Sequence, residues 1–414
     1  MLELDFSLVF DAAADEEFFS ALPSKPAVCL VELNDANAEP LLIRTQDLRR
    51  RLQRLLGPPD PASKRLNLRS LASGAQYRPV GSTFEQCLTY YQHAKKLFPQ
   101  RYRDLLRMRP PAVLKVSLRN AYPRCYVTRH ISVDSLGTPT AGSYYGPFPS
   151  RGAALAFANR ALDFFKMRRC QIKIRRDPTF PGCLYSEMKM CLAPCFAGCS
   201  KEEYDAEVGR VVAFLATSGA SLTAELERER EAASEALDFE RAAAVHRRIE
   251  KAAEALRSLP GLARRIEDLN AVVLQRAADE NTVAVFVIRA GRIDEPRLLR
   301  FAELASEPRS VEQILRDWLE GDAAAPAPSE KPAASQHGLR ELEDQLSLLA
   351  RWYHKKPRLG EIFFREATAR SSSAAVAQDE AATRRNSEWP YRRILRACSR
   401  LLAPPAEAER PEKS

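Results

Sequence analysis

No apolar run in this 414-residue chain approaches the roughly 18 to 20 residues that cross a bilayer; the longest, such as residues 283–288, have strand length. A spanning protein is excluded and no membrane partner is expected. Before Lys25 there is no basic residue, while Glu3, Asp5, Asp11, Asp15, Glu16 and Glu17 are all acidic. That pattern argues against a secretory leader and predicts a cytoplasmic protein. Glycine is scarce, at 16 residues, and 45% of residues are hydrophobic, which excludes collagen-like and wholly disordered chains. There is no internal repeat.

What is present points to a modular, basic protein. The length fits about two to four domains. The 63 Lys and Arg outnumber the 54 Asp and Glu, for a net charge of +9, the kind of excess that suits phosphate binding. Five of the nine cysteines, Cys170, Cys183, Cys191, Cys195 and Cys199, crowd one segment. Without a leader, such crowding favours a metal site over disulfides.

Along the chain, residues 26–31 and 40–43 read as strands, and 46–56 as a helix whose leucines alternate with Arg49, Arg50, Arg51 and Arg54. Residues 83–98 form a second helix, with Ser82 as N-cap and Glu85 at capping-box spacing. Strands follow at 113–116 and 123–128. Residues 144–150 read as a turn-rich hinge, 153–165 as an Ala-rich helix, and 201–215 as a helix capped by Ser200 and Glu203. Residues 222–259 break their apolar period at Asp238, which predicts a helical hairpin. A small sheet begins with 270–275, 282–289 and 295–301. Residues 321–337 are an Ala/Pro linker and 371–388 are low in complexity; helices are predicted at 339–352 and 389–402. Trp352 and Trp389 sit among cations and are read as packing anchors in preference to base-stacking groups.

The strongest chemical signal is Cys170, Cys183, Cys191 and Cys195, in the spacing C-x12-C-x7-C-x3-C. Four closely spaced thiolates suit tetrahedral zinc or a [4Fe–4S] cluster, and spacing does not choose between them. Cys199 is a spare thiol. From Tyr144 through Ser218 (YYGPFPS, FFKMRRC, PGCLYSEMKMCLAPCFAGCS) the chain resembles the UvrC family, the nuclease subunit of bacterial nucleotide excision repair. The resemblance implies [4Fe–4S], with zinc as the alternative.

Leu237-Asp238-Phe239-Glu240-Arg241-Ala242-Ala243 is similar to the UVR motif, by which that family binds UvrB. It implies that Leu237, Phe239, Glu240, Ala242 and Ala243 meet a UvrB-like helicase, although His246-Arg247 stands where the family has Arg-Asp. Residues 23–135 fall where the family carries a GIY-YIG nuclease domain. There Cys29 and Leu41 replace the family's tyrosines, Tyr90 its metal-binding Glu and Arg103 its Asn; only Arg51 is retained. The implication is a degenerate α/β domain with no catalytic set intact and no Mg²⁺. A rearranged site using Arg51 and Glu85 is the alternative, which would leave an active excinuclease. An iron–sulfur or redox-sensing protein outside excision repair is the other.

The resemblance ends near residue 320. Residues 260–320 imply a partial RNase H-like sheet, with Asp268 at a strand edge, and too few residues follow for the family's second nuclease and DNA-binding hairpins. The expected organisation is therefore an α/β multidomain chain: an N-terminal extension (1–22), the degenerate domain (23–135), a hinge and cysteine segment (136–218), the hairpin (219–259), the partial sheet (260–320), a linker (321–338) and a basic aromatic helical tail (339–414). DNA contact is expected at basic clusters 49–54, 101–109 and 166–176, through Arg49, Arg50, Arg51, Arg54, Lys166, Arg168, Arg169, Lys173, Arg175 and Arg176, interleaved with Tyr102, Phe164 and Phe165.

Overall fold

The computed structural model describes residues 4–35, 37–59, 62, 64–132, 144–304, 306–320, 336–367 and 387–402. Its first unit runs β1 (Phe6–Val9), α1 (Asp15–Ala21), β2 (Ala27–Leu33), β3 (Leu41–Thr45), α2 (Leu48–Leu56), β4 (Ala72–Pro79), α3 (Thr83–Leu97) and α4 (Tyr102–Leu105). The strands form one antiparallel sheet in the order β1-β4-β2-β3. Because side chains alternate along a strand, Ala27, Cys29 and Val31 face the leucines of α2, while Val28 and Leu30 face α3 on the other side. Residues 6–22 are not an extension, since β1 pairs with β4 and Phe18 and Leu22 are buried.

Local sequence explains the helix starts. The Asp47 carboxylate accepts from the Arg50 amide at 2.9 Å, and Leu48, Leu52 and Leu55 then line one buried stripe. Ser82 caps α3 by accepting from the Glu85 amide at 3.1 Å. The expected box is only half made, because Glu85 accepts from Gly81 N–H at 2.8 Å.

The second unit contains β5 (Ala112–Val116), β6 (Cys125–Thr128), β7 (Tyr144–Phe148), α5 (Arg151–Leu162), α6 (Leu184–Glu187), α7 (Lys201–Ala216), α8 (Ala220–Glu235), α9 (Phe239–Arg257) and β8 (Arg264–Arg265). The strands lie in the order β6-β5-β7-β8. The stretch expected as a hinge is instead a fully buried strand. Gly146 makes this possible, since a Cβ there would stand 2.8 Å from Val113 Cγ1. Ser200 and Glu203 complete their capping box as expected. The roots of α8 and α9 pack through Leu222, Leu226, Val245 and Ala252 against Phe157, Phe165 and Phe214.

The third unit has β9 (Ala271–Arg276), β10 (Thr282–Arg289), β11 (Arg292–Ile293), β12 (Arg297–Arg300), α10 (Phe301–Leu304), α11 (Val311–Glu320), α12 (Gln336–Tyr353), β13 (Glu361–Phe364), β14 (Glu366–Ala367), β15 (Ser387–Glu388) and α13 (Tyr391–Leu402). The sheet order is β11-β10-β9-β13, with β12 also on β10. The expected separate tail thus completes this sheet. Helix α12 covers one face with Leu346, Leu349 and Trp352, and α11 and α13 cover the other with Leu315 and Ile394. Burial on both faces accounts for the nearly unbroken apolar runs of β9 and β10. Trp352 and Trp389 are buried packing anchors. Residues 321–335 of the expected linker, the 135/136 boundary and most of the low-complexity stretch lie outside the described residues. Among the described residues no helix is long and apolar enough to cross a membrane.

Candidate functional site

Of the four positions that the resemblance singles out in the first unit, Cys29, Leu41 and Tyr90 take part in packing and Arg103 in ion pairing. Cys29 is fully buried and burial pushes its thiol up to about 12. Leu41 packs against the same core, on the α2 face that also carries Arg51. Tyr90 belongs to the opposite, α3 face, where the Arg44 guanidinium lies 4.7 Å from its ring centre. Glu85 is also on α3; its carboxyl is raised by burial, and Gly81 N–H takes one of its oxygens. Arg51 is thus carried by α2 and Glu85 by α3, helices that pack on opposite faces of the sheet.

Arg103 is occupied by the third unit. Its Nε donates to Asp344 Oδ1 at 2.9 Å, and Tyr102 Oη donates to Asp344 Oδ2 at 2.7 Å. Burial first, then that hydrogen bond, pushes the Tyr102 hydroxyl up to about 12. Next to Asp344, Glu343 accepts from the Ile131 amide at 2.9 Å. Sequence reasoning missed this network. Its only signal was the pair Glu343-Asp344 set beside the α12 leucine stripe, which reads as an ordinary solvated face.

The cysteine segment folds back on itself. Leu192 N–H donates to Lys166 O at 3.0 Å and Asp177 N–H to Cys195 O at 2.9 Å. Cys195 is buried, and Cys170, Cys183 and Cys191 are half-buried. The Cys191 thiol is pushed up to about 11 by burial first, and also by the charges of Cys170, Cys195 and Cys183. Cys199 is buried and likewise raised by burial. Four soft donors along one partly shielded segment suit a thiolate-held group by their chemistry. Among the described residues, however, no group of three or more His, Cys, Asp or Glu is arranged to hold a metal ion.

The expected DNA-contacting cations divide into two sets. Arg49 is tied to Leu22 O at 2.7 Å and Ser20 O at 3.2 Å. Arg168 is buried and donates to Tyr122 O at 2.8 Å and Ile172 O at 3.0 Å, and Arg169 pairs with Asp163 at 2.8 Å. These three brace the fold. In the 101–109 cluster Arg101 pairs with Glu39 and Arg103 with Asp344. Arg50, Arg54, Lys166, Lys173, Arg175 and Arg176 are exposed, and Arg51 is half-buried. Tyr102 and Phe165 are buried and Phe164 half-buried, so the first two offer bases no stacking face.

The hairpin presents its expected motif at the turn. Ala233 O accepts from Asp238 N–H at 2.9 Å and Ser234 O from Leu237 N–H at 3.0 Å, closing α8 with Leu237 in the left-handed region at φ +56°. Asp238 then caps α9 by accepting from the Arg241 amide at 3.0 Å. Leu237 is 71% and Phe239 68% exposed, with Glu240 and Ala243 open to solvent and Ala242 half-buried. Such apolar exposure at a rigid turn suits partner contact.

Residues 112–214 match the family described as UvrC/Cho excinuclease, middle domain, and residues 220–255 match the UvrB/uvrC motif. The UvrABC system protein C of Carboxydothermus hydrogenoformans is 28% identical over 296 residues, which cover 71% of this chain and 47% of that protein. That of Methanothermobacter thermautotrophicus is 32% identical over 54% of this chain and 38% of its own length. That of Jannaschia sp. is 36% identical over 36% and 24%. The chain spans about half the length, or less, of the curated relatives it matches. No solved structure matches it.

Proposed function

We propose, from a chain that resembles UvrABC system protein C and carries its middle domain and UVR motif, that this protein serves cytoplasmic nucleotide excision repair as a DNA- and UvrB-binding scaffold that does not cut through its first unit. The observation that supports this most is the filling of the first unit. Its β–β–α–β–α order suits a GIY-YIG-like scaffold, yet Cys29, Leu41, Tyr90 and Arg103 are occupied by cores or by Asp344. None of the four is a hard-cation ligand in that state. We read the third unit as an RNase H-like remnant completed by its own tail.

In this reading the exposed cations Arg50, Arg54, Lys166, Lys173, Arg175 and Arg176 neutralise phosphates, and Leu237 and Phe239 enter a groove of UvrB. A [4Fe–4S] cluster, when bound, would be held by Cys170, Cys183, Cys191 and Cys195 and would cross-link a segment poor in regular structure. Broad visible absorption of anaerobically purified protein is the expected sign; colourless protein containing zinc would replace the cluster with zinc.

The decisive experiment supplies purified protein with a lesion-bearing duplex, UvrA, UvrB and Mg²⁺. Binding without incision is expected, with an affinity that falls steeply as salt rises, in proportion to the phosphates neutralised. Incision that Arg51→Ala abolishes would overturn the scaffold reading.

A further inference from the structure

Three large apolar side chains of the cysteine segment are exposed: Ile172 at 48% and, close together, Leu184 and Met188. Leu184 is 65% and Met188 58% exposed, while the neighbouring Cys183, Tyr185 and Ser186 are half-buried. Met188 N–H donates to Leu184 O at 3.0 Å, so the two residues sit one helical turn apart on the same face. The turn is pinned at its start, where Cys183 N–H donates to Ser186 Oγ at 2.9 Å and Ser186 Oγ donates back to Cys183 O at 2.6 Å. The two side chains thus share one hydrogen-bonded, exposed apolar turn.

Its surroundings are cationic. Asp177 N–H is bound to Cys195 O, and Gly182 lies against the ring of the next residue, Phe196, so the run carrying Lys173, Arg175 and Arg176 returns to the base of the tip. Those three and Lys189 are exposed. The acids nearby are Glu187, which is exposed, and Asp177, whose Oδ1 accepts from Thr179 N–H and Oγ1 at 2.9 and 2.7 Å. Two side chains are far short of the roughly 800 Å² per partner of a stable protein interface. An exposed apolar pair of that size, in a segment rich in exposed cations, does match the wedges that enter base steps.

We propose that Leu184 and Met188 form a wedge that enters DNA at an unpaired or weakly stacked step, while Lys173, Arg175, Arg176 and Lys189 hold the flanking phosphates. The inference rests on the DNA-binding reading above and adds to it a preference for distorted duplexes. A weakened step costs less to open, so the wedge discriminates by the stacking energy already lost.

The test measures fluorescence anisotropy of the full chain with a fully paired duplex and with the same duplex carrying a short central mismatch bubble that contains 2-aminopurine. Wild type is expected to bind the bubble about tenfold more tightly and to raise the 2-aminopurine signal. Leu184→Ser with Met188→Ser should abolish both the preference and the signal and leave paired-duplex affinity and the melting temperature unchanged. Lys173→Ser with Arg175→Ser and Arg176→Ser should weaken both duplexes equally. Equal wild-type binding to the two duplexes overturns the wedge and leaves DNA binding standing, whereas binding to neither overturns both. A double variant that keeps the preference overturns the wedge; if its sedimentation also changes, the tip is a contact between copies.

Discussion

In the first sheet unit Cys29, Leu41, Tyr90 and Arg103 point into cores or to a partner carboxylate, whereas in the hairpin Leu237 and Phe239 stand in solvent. Both regions were singled out by motif position, but the fold spends them differently. Cys29 and Leu41 pack against α2 on one face of the first sheet, and Tyr90 joins the core shared with the third unit on the other. Where apolar groups remain exposed at a capped turn, packing within the chain gains nothing from them. Burial identifies what a residue does for the fold, and unrewarded apolar exposure identifies what is left for a partner.

The sharpest way to break this contrast is Asp344→Ala, which strands Arg103 and Tyr102 beside an apolar core. A loss of about 3 kcal/mol is expected from the urea midpoint; a loss under about 0.5 kcal/mol would mean that the first and third units are not joined by this network. Acid offers a second approach through His93, which burial first, then Arg78 and Lys96, depress from 6.5 to about 4. Its Nδ1 has no hydrogen-bond partner among the described residues. Between those two values the unfolded chain binds the extra proton, so this stability is complete above pH 6.5 and is lost as pH falls through about 4. His93→Gln should flatten that limb of a pH–stability curve, and an unchanged limb would assign it to other groups.

Cys29→Tyr introduces, at a fully buried position, the tyrosine that the resemblance implies there. Overpacking should cost about 2 kcal/mol in thermal or urea unfolding with no cutting of DNA gained; Mg²⁺-dependent nicking by this variant would show that the fold retains a usable site. The smallest effect on the fold belongs to Phe239→Ser. Stability should stay within about 0.5 kcal/mol while the proposed binding of UvrB, read by calorimetry, weakens at least about tenfold. Unchanged affinity would take the hairpin turn out of the interface.

The elements themselves were largely legible. Leucine spacing marked α2, Ser82 and Ser200 marked the starts of α3 and α7, and the break at Asp238 marked the hairpin, because these signals act within a few residues along the chain. Residues 144–150 misled because Gly and Pro usually punctuate turns, while here Gly146 admits Val113 of a neighbouring strand. The cations misled for a related reason: Arg168 and Lys173 look alike in a basic run, and the carbonyls of Tyr122, Cys170 and Ile172 make one of them internal. The same holds for the tail, whose aromatic and basic mixture gave no sign that β13 pairs with β9.

The sequence by itself determined the local periodicities, the cysteine spacing, the hairpin motif and the absence of tyrosine at positions 29 and 41. Each is a property of residue type and short-range order. Only the tertiary structure decided that the tail completes the third sheet, that Asp344 holds Arg103, and which cations and apolar groups remain outside. Those outcomes depend largely on contacts between residues far apart along the chain, from Arg168 with Tyr122, 46 positions away, to Arg103 with Asp344, 241 positions away, and a long-range partner leaves no mark on the residue that will meet it.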